Sequence, residues 1–153
     1  MLIDDPLLQF LNNKVAQTTF LAWFCAQSIK VLIGVFSEKR FNFKWFVGTG
    51  GMPSSHAAGV TALVMSIGIQ DGVASSIFVV TLLFAIVVIC DAQGVRRSTG
   101  KQAEILNKVM DDMYFRKRIQ EDRLKELVGH TPIQVFAGIF VGLAVGWVSY
   151  YLL

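Results

Sequence analysis

The chain has 153 residues, of which 54% are hydrophobic and 16% charged, with a net charge of +3 and a mean hydropathy of +0.54. This length fits one domain over residues 1–153, and its apolar content is high for a soluble domain. The sequence contains no repeat, no Cys/His metal cluster and no nucleic-acid-binding motif. We therefore expect an integral membrane protein that binds no nucleic acid.

Four apolar segments are near the roughly 17–25 residues that a membrane-spanning helix needs. They are residues 18–36, 54–69, 73–90 and 132–153, of which the second is the shortest. The first residues, MLIDD, contain no basic start and no cleavage site, so we expect the first span to be retained. Residues 1–14 predict a short interfacial helix, since apolar side chains follow Pro6 at helical spacing. Cys25 and Cys90 lie within apolar segments, where a thiol behaves as a packing residue.

The basic residues are distributed unevenly between the connections. Twelve of the 14 Lys and Arg residues lie between the first and second segments or between the third and fourth. The positive-inside rule makes these connections cytoplasmic and turns both termini outward. The charged connection, residues 92–130, carries apolar residues at helical spacing over 101–128. It predicts either an amphipathic helix on the membrane surface or a solvated hairpin.

The last span has glycine at every fourth position, Gly138, Gly142 and Gly146. Such spacing clears one helix face for close backbone approach. The partner of this face could equally be another span of the chain or a second copy. A homodimer through the glycine face is therefore one prediction.

Unusual polar residues gather at the cytoplasmic ends of the predicted spans. Lys30, toward the inner end of the first span, is followed by Arg40 and by the glycine-rich stretch 48–59. Asp91, Arg96 and Arg97 lie at the end of the third span. His130 lies just before the fourth span. Two spans begin at the same face, one after Pro53 and one with Thr131 as N-cap and Pro132 as first helical residue. Two helix N-termini with Lys and Arg side chains predict an anion site. Alternatively, Lys30 extends to the interface and the other cations only set topology.

His56 and His130, the only two histidines, both lie at predicted helix starts on this face. Imidazole titrates near neutral pH and suits proton transfer or nucleophilic attack. The pair therefore indicates either a catalytic site or two structural histidines with local partners.

Three motifs resemble a known family. PSSH at residues 53–56 is similar to the Pro-Ser-Gly-His motif of the type 2 phosphatidic acid phosphatase and vanadium haloperoxidase superfamily, and HTPIQVFAG at 130–138 resembles its His-x-Pro-x-Asp-Val-x-Ala-Gly stretch. Together with DAQGVRR at 91–97, they most resemble the divergent branch of small membrane proteins. The resemblance implies an all-α fold, with about four spanning helices arranged as in the phosphatase core and one amphipathic interfacial helix.

The resemblance also implies roles for individual residues. His130 would be the nucleophile that forms a phosphohistidine, and His56 would be the general acid that protonates the leaving alcohol. The phosphate would be held by Lys30, Arg40, Ser54 and Ser55, and by Arg97 or its neighbour Arg96. The mechanism requires no metal and no cofactor.

Three departures from the family pattern bear on activity. The first motif is longer, with nine residues between Lys30 and Arg40 rather than six. Thirty-two residues separate Arg97 from His130, and the family has five between these positions. Gln134 occupies the position of the aspartate that orients the nucleophile, and an amide cannot offset an imidazolium charge as a carboxylate does. Asp91 is a second candidate for that orienting role.

The sequence therefore predicts a phosphatase in the inner or plasma membrane, with its site at the cytoplasmic face. The substrate would be a lipid phosphate monoester or diphosphate, and the other partners would be membrane lipids. A noncatalytic protein that binds or moves a phosphorylated ligand is the alternative, and a structural membrane subunit without a ligand is a third interpretation.

Overall fold

A computed structural model describes residues 5–39, 51–114 and 130–152, apart from the side chains of residues 95–97 and 111–114. This part of the chain is helical, with short turns and caps between its helices. The six helices in chain order are α1 Pro6–Leu11, α2 Lys14–Glu38, α3 Ser55–Gln70, α4 Ser76–Gln93, α5 Val95–Tyr114 and α6 Pro132–Leu152.

Side-chain caps fix where most of these helices begin. Asn13, Ser54 and Ser75 each precede a helix and accept a hydrogen bond from a backbone N–H of its first turn. Such a bond satisfies one of the four N–H groups that a helix start leaves without a partner. With Ser75 as its N-cap, α4 begins at Ser76, three residues after the beginning of the predicted segment 73–90, because Gly72, with a φ of 81°, forms the preceding turn.

Three of the described helical segments are long and apolar enough to cross a membrane. They are α2, the continuous run formed by α4 and α5, and α6. The second predicted span corresponds to α3, which has 16 residues, so its length is about 24 Å. It contacts α2, α4 and α6 and lies between them. The predicted all-helical membrane bundle is thus confirmed, with the short α3 at its centre.

Small residues allow α3 this central position. Ala22 and Ala26 of α2 are fully buried, as are Ala58 and Ala62 of α3, and both pairs are spaced four residues apart. In a membrane, helices associate by close packing rather than by expelling apolar surface from water, which favours small side chains at the contact.

The glycine face of α6 packs against α3. A Cβ atom at Gly138 would lie 2.3 Å from the carbonyl oxygen of Ser54, and one at Gly142 would lie 2.5 Å from that of Ala58. At Gly146 the nearest atom would be the sulfur of Met65, at 3.0 Å. All three glycines are buried. Of the two partners that the sequence leaves open for this face, the structure places α3 against it. A homodimer stays a prediction.

The two flanking amphipathic segments are helical where the structure describes them. α1 lies within the predicted segment 1–14 and exposes its whole surface. α5 begins at Val95, earlier than the predicted 101, because α4 ends at Gln93 and the next helix begins directly after the C-cap Gly94. Ile105, Leu106 and Val109 are exposed on one side of α5. Their contact with the membrane surface stays a prediction.

Candidate functional site

Two backbone hydrogen bonds join three helix ends at one end of the bundle. The N–H of Ser54, just before α3, donates to the carbonyl of Gln134 in the first turn of α6 at 2.9 Å. The N–H of His130 donates to the carbonyl of Ala92, near the end of α4, at 3.0 Å. Residues far apart in the chain are therefore held together at this end.

The two histidines meet at this junction. The ring centroids of His56 and His130 are 6.2 Å apart, and the rings are inclined at 61°. His130 is buried, with 2% of its surface exposed, whereas His56 is partly exposed. Two imidazoles at this separation can act on the same small group.

Gln134 determines which nitrogen of His130 carries the proton. Its side-chain oxygen accepts a hydrogen bond from the backbone N–H of Thr131 at 3.1 Å and lies 3.2 Å from His130 Nδ1. An amide oxygen can only accept, so Nδ1 must be the protonated nitrogen in this contact. In the neutral ring, Nε2 then carries the lone pair and is the nucleophilic atom.

The same glutamine also caps α6. The Thr131 hydroxyl accepts from the Gln134 N–H at 3.4 Å while the Gln134 amide accepts from the Thr131 N–H. This reciprocal pair is a capping box, in which Thr131 is the N-cap and Pro132 the first helical residue. Gln134 therefore has a structural function in addition to its contact with His130.

Lys30 is buried inside the bundle rather than extended to the interface. It is 7% exposed, and its Nζ donates to the side-chain oxygen of Gln27, one turn earlier on α2. Gly51 lies against its aliphatic stem, since a Cβ atom there would be 3.3 Å from Lys30 Cγ and Cδ. An ionisable residue held within a spanning helix is costly and usually marks a functional site.

The two serines before His56 are buried. Ser54 is fully buried, its N–H is bonded to Gln134, and its hydroxyl accepts from the Ala57 N–H at 3.3 Å as the N-cap of α3. Ser55 is 3% exposed at the first position of α3. The phosphate-binding roles of both serines stay predictions, and Ser54 already serves to join α3 to α6.

The remaining predicted site residues are placed less completely. Asp91 precedes Ala92, whose carbonyl binds the His130 backbone, so its backbone lies beside the junction. Arg96 and Arg97 lie in the first turn of α5, but their side chains are outside the described part of the chain. Arg40 also lies outside the described residues. Within the described ranges, no group of three or more His, Cys, Asp or Glu side chains could hold a metal ion.

Sequence reasoning missed two residues of the site. Gln27 is 3% exposed and accepts from Lys30, and Gly51, with a φ of 84°, packs on the same side chain. A polar residue three positions before a lysine in an apolar span is a signal for Gln27, because such residues share a helix face. The contact of Gly51 brings together two separate parts of the chain, and spacing along the sequence does not predict it.

The fold and the site define an integral membrane protein, an all-helical bundle with a buried lysine and two histidines at one end. The family described as the divergent PAP2 family matches residues 11–145, and the chain belongs to it. A relative in Bacillus subtilis (strain 168), the uncharacterized membrane protein YuiD, is 37% identical over 147 residues, which cover 89% of this chain and 93% of that protein. No solved structure matches the chain.

Proposed function

We propose that this protein hydrolyses a phosphate monoester or diphosphate of a membrane lipid through a phosphohistidine on His130. The observation that carries the proposal is the pairing of His130 with His56, with ring centroids 6.2 Å apart beside the start of α3. Membership of the divergent PAP2 family supports the same reaction class. The bundle crosses the membrane, so a substrate with a phosphate at the lipid boundary can reach this end.

The proposed reaction has two steps. In the first, His130 Nε2 attacks phosphorus, the bond to the leaving oxygen breaks, and protonated His56 donates its proton to that oxygen. In the second, water attacks the phosphohistidine, neutral His56 takes its proton, and the phosphorus–nitrogen bond breaks to release phosphate. Lys30 and the predicted arginines would stabilise the charge on the phosphoryl oxygens, which is the main requirement of phosphoryl transfer.

The test is phosphate release by the purified protein from a panel of phosphatidic acid, phosphatidylglycerophosphate and farnesyl diphosphate in detergent. We expect release from at least one lipid, with an acid-labile and base-stable phosphate on the protein during turnover. A folded protein that releases phosphate from none of them contradicts the proposal.

Noncatalytic binding of a phosphorylated ligand is the second candidate function, and Gln134 favours it. The amide accepts from Nδ1 but supplies no negative charge to balance a cationic phosphohistidine. If vanadate raises the unfolding temperature while no lipid is hydrolysed, the protein is such a binder. If vanadate also leaves the unfolding temperature unchanged, the protein is a structural membrane subunit without a ligand.

Gln134→Glu should accelerate turnover by about tenfold, the factor that corresponds to a shift of one pKa unit. A glutamate at this position keeps the capping box and adds the charge that stabilises the imidazolium form of His130. Because attack needs the neutral ring, the acidic limb of the pH profile of kcat/KM should move to higher pH. The measurement is that profile for wild type and variant. Gln134→Ala, which removes both the cap and the acceptor, is the comparison and should be slower than wild type.

We also propose that the site faces the cytoplasm, as the distribution of basic residues indicates. In a variant without Cys25 and Cys90, Lys101→Cys on α5 should resist an impermeant thiol reagent in intact cells and react after lysis. Asp71→Cys, in the turn between α3 and α4, is the matched control and should react in intact cells. The reverse pattern of labelling contradicts this orientation.

A further inference from the structure

An apolar groove begins at His56 and runs along the side of the bundle. It is formed by α2, α3 and α4, has a volume of about 430 Å³, and is lined by apolar side chains apart from Thr19 and from Ser55 and His56 at one end. Its lining includes Phe20, Trp23, His56, Gly59, Leu63 and Phe84.

The groove is open toward the lipid. Phe20 and Phe84, on its two sides, are 61% and 54% exposed. From Ser55 to Leu63, α3 rises by eight residues, so the groove is roughly 12 Å long along the helix. It therefore leads from the candidate general acid toward the opposite end of the bundle.

Gly59 leaves this groove unfilled. A Cβ atom at Gly59 would have only the Cβ of Trp23 within 4 Å, at 3.8 Å, which is an ordinary contact. At Gly138 and Gly142, by contrast, a Cβ atom would collide with the backbone of α3. Helix packing thus explains the glycines of α6 but not Gly59, whose missing side chain leaves space beside His56.

We propose that this groove holds one hydrocarbon chain of the phosphorylated substrate and that Gly59 provides the room for it. The inference rests on the proposed function and adds to it a lipid substrate with at least one long linear chain. A chain in the groove directs the attached oxygen toward His56, the group that would protonate it. Lipid tails are as apolar as the groove, so the chain contributes orientation of the reacting oxygen rather than burial from water.

The first experiment compares two substrates that both release a primary alcohol, hexadecyl phosphate and butyl phosphate. Gly59→Leu should lower kcat/KM for hexadecyl phosphate about tenfold more than for butyl phosphate, because small displacements of a reacting group cost large factors in rate. Gly59→Ala should give a smaller effect in the same direction. Ala144→Leu, at an exposed position of α6 outside the groove, is the matched control and should change neither substrate.

The second experiment detects the chain without turnover. In a variant with Trp45→Phe and Trp147→Phe, Trp23 is the remaining tryptophan, and hexadecyl phosphate brominated in mid-chain should quench its fluorescence with saturation. Unbrominated hexadecyl phosphate should reverse the quenching, and Gly59→Leu should remove its saturable part.

The two readouts separate failure of the groove from failure of the phosphatase. Saturable quenching without any hydrolysis keeps the groove as a chain-binding site and rejects the proposed function. Hydrolysis with an equal loss for both substrates in Gly59→Leu rejects the groove. The groove is also rejected if quenching rises linearly with the concentration of brominated lipid and is unchanged by Gly59→Leu. In that case bulk lipid covers this face.

Discussion

His130→Ala will abolish phosphate release from every substrate, whereas the loss in His56→Ala will depend on the leaving group. His130 would form the bond to phosphorus, so no leaving group can compensate for its removal. His56 would only supply a proton to the departing oxygen, and a general acid typically contributes about 10²–10⁴ in rate. An alkoxide needs that proton, but a nitrophenolate leaves without it.

The measurement is kcat/KM for hexadecyl phosphate and p-nitrophenyl phosphate in wild type and both variants. For His56→Ala we expect a loss of about 10²–10⁴ with the alkyl ester and a much smaller loss with the nitrophenyl ester. Circular dichroism and size-exclusion chromatography in detergent establish that both variants are folded. Equal losses with the two esters would assign His56 to structure or phosphate positioning, and residual turnover in His130→Ala would mean direct attack by water.

The two histidines differ in burial and in their contacts, and these differences support the different roles proposed for them. His130 is held by its backbone to Ala92 and by Nδ1 to Gln134, which leaves Nε2 as the nitrogen that would attack phosphorus. His56 lies at the beginning of α3, is the more exposed ring, and adjoins the apolar groove. A fixed, buried ring suits a nucleophile, and a ring at the entrance suits proton exchange with the leaving group and with water.

The sequence predicts the helices and the end at which the polar residues meet, for reasons that are local. Apolar runs of sufficient length indicate spanning helices, and Thr131 with Pro132 is a helix start that the structure reproduces. Each connection between two spans is either short or charged. The order of the spans along the chain therefore predicts the side of the membrane on which each histidine lies.

The contacts inside the bundle could not be predicted in this way. The spacing of Gly138, Gly142 and Gly146 predicts close helix approach but not its partner, because a second copy and a neighbouring span present similar small residues. Lys30 could extend to the interface or turn inward, and the choice depends in part on Gly51, which is adjacent to it only in the folded chain. In the sequence, Gln134 only replaces the carboxylate that the resemblance leads us to expect, whereas in the structure it also caps α6.

Gly138→Ala should destabilise the bundle and disturb the site, although it adds a single methyl group. The new Cβ would lie 2.3 Å from the Ser54 carbonyl oxygen and 3.0 Å from the Ala57 Cβ. Real Cβ atoms do not approach a backbone oxygen so closely, so α6 must move away from α3. This movement strains the hydrogen bond from the Ser54 N–H to the Gln134 carbonyl, which joins the two helix starts. Overpacking of this kind costs about 1–3 kcal/mol in the free energy of unfolding.

Gly59→Ala is the matched control, since it makes the same change at another buried glycine, where the nearest atom is 3.8 Å away. Alanine favours the helix over glycine by roughly 0.5–1 kcal/mol, so this variant should be as stable as wild type or more stable. Equilibrium unfolding in mixed detergent micelles, followed by circular dichroism, measures both. Because the α6 glycines face α3 within one chain, Gly138→Ala should change stability without changing oligomeric state. Dissociation of an oligomer with unchanged protomer stability would instead place this glycine between two copies.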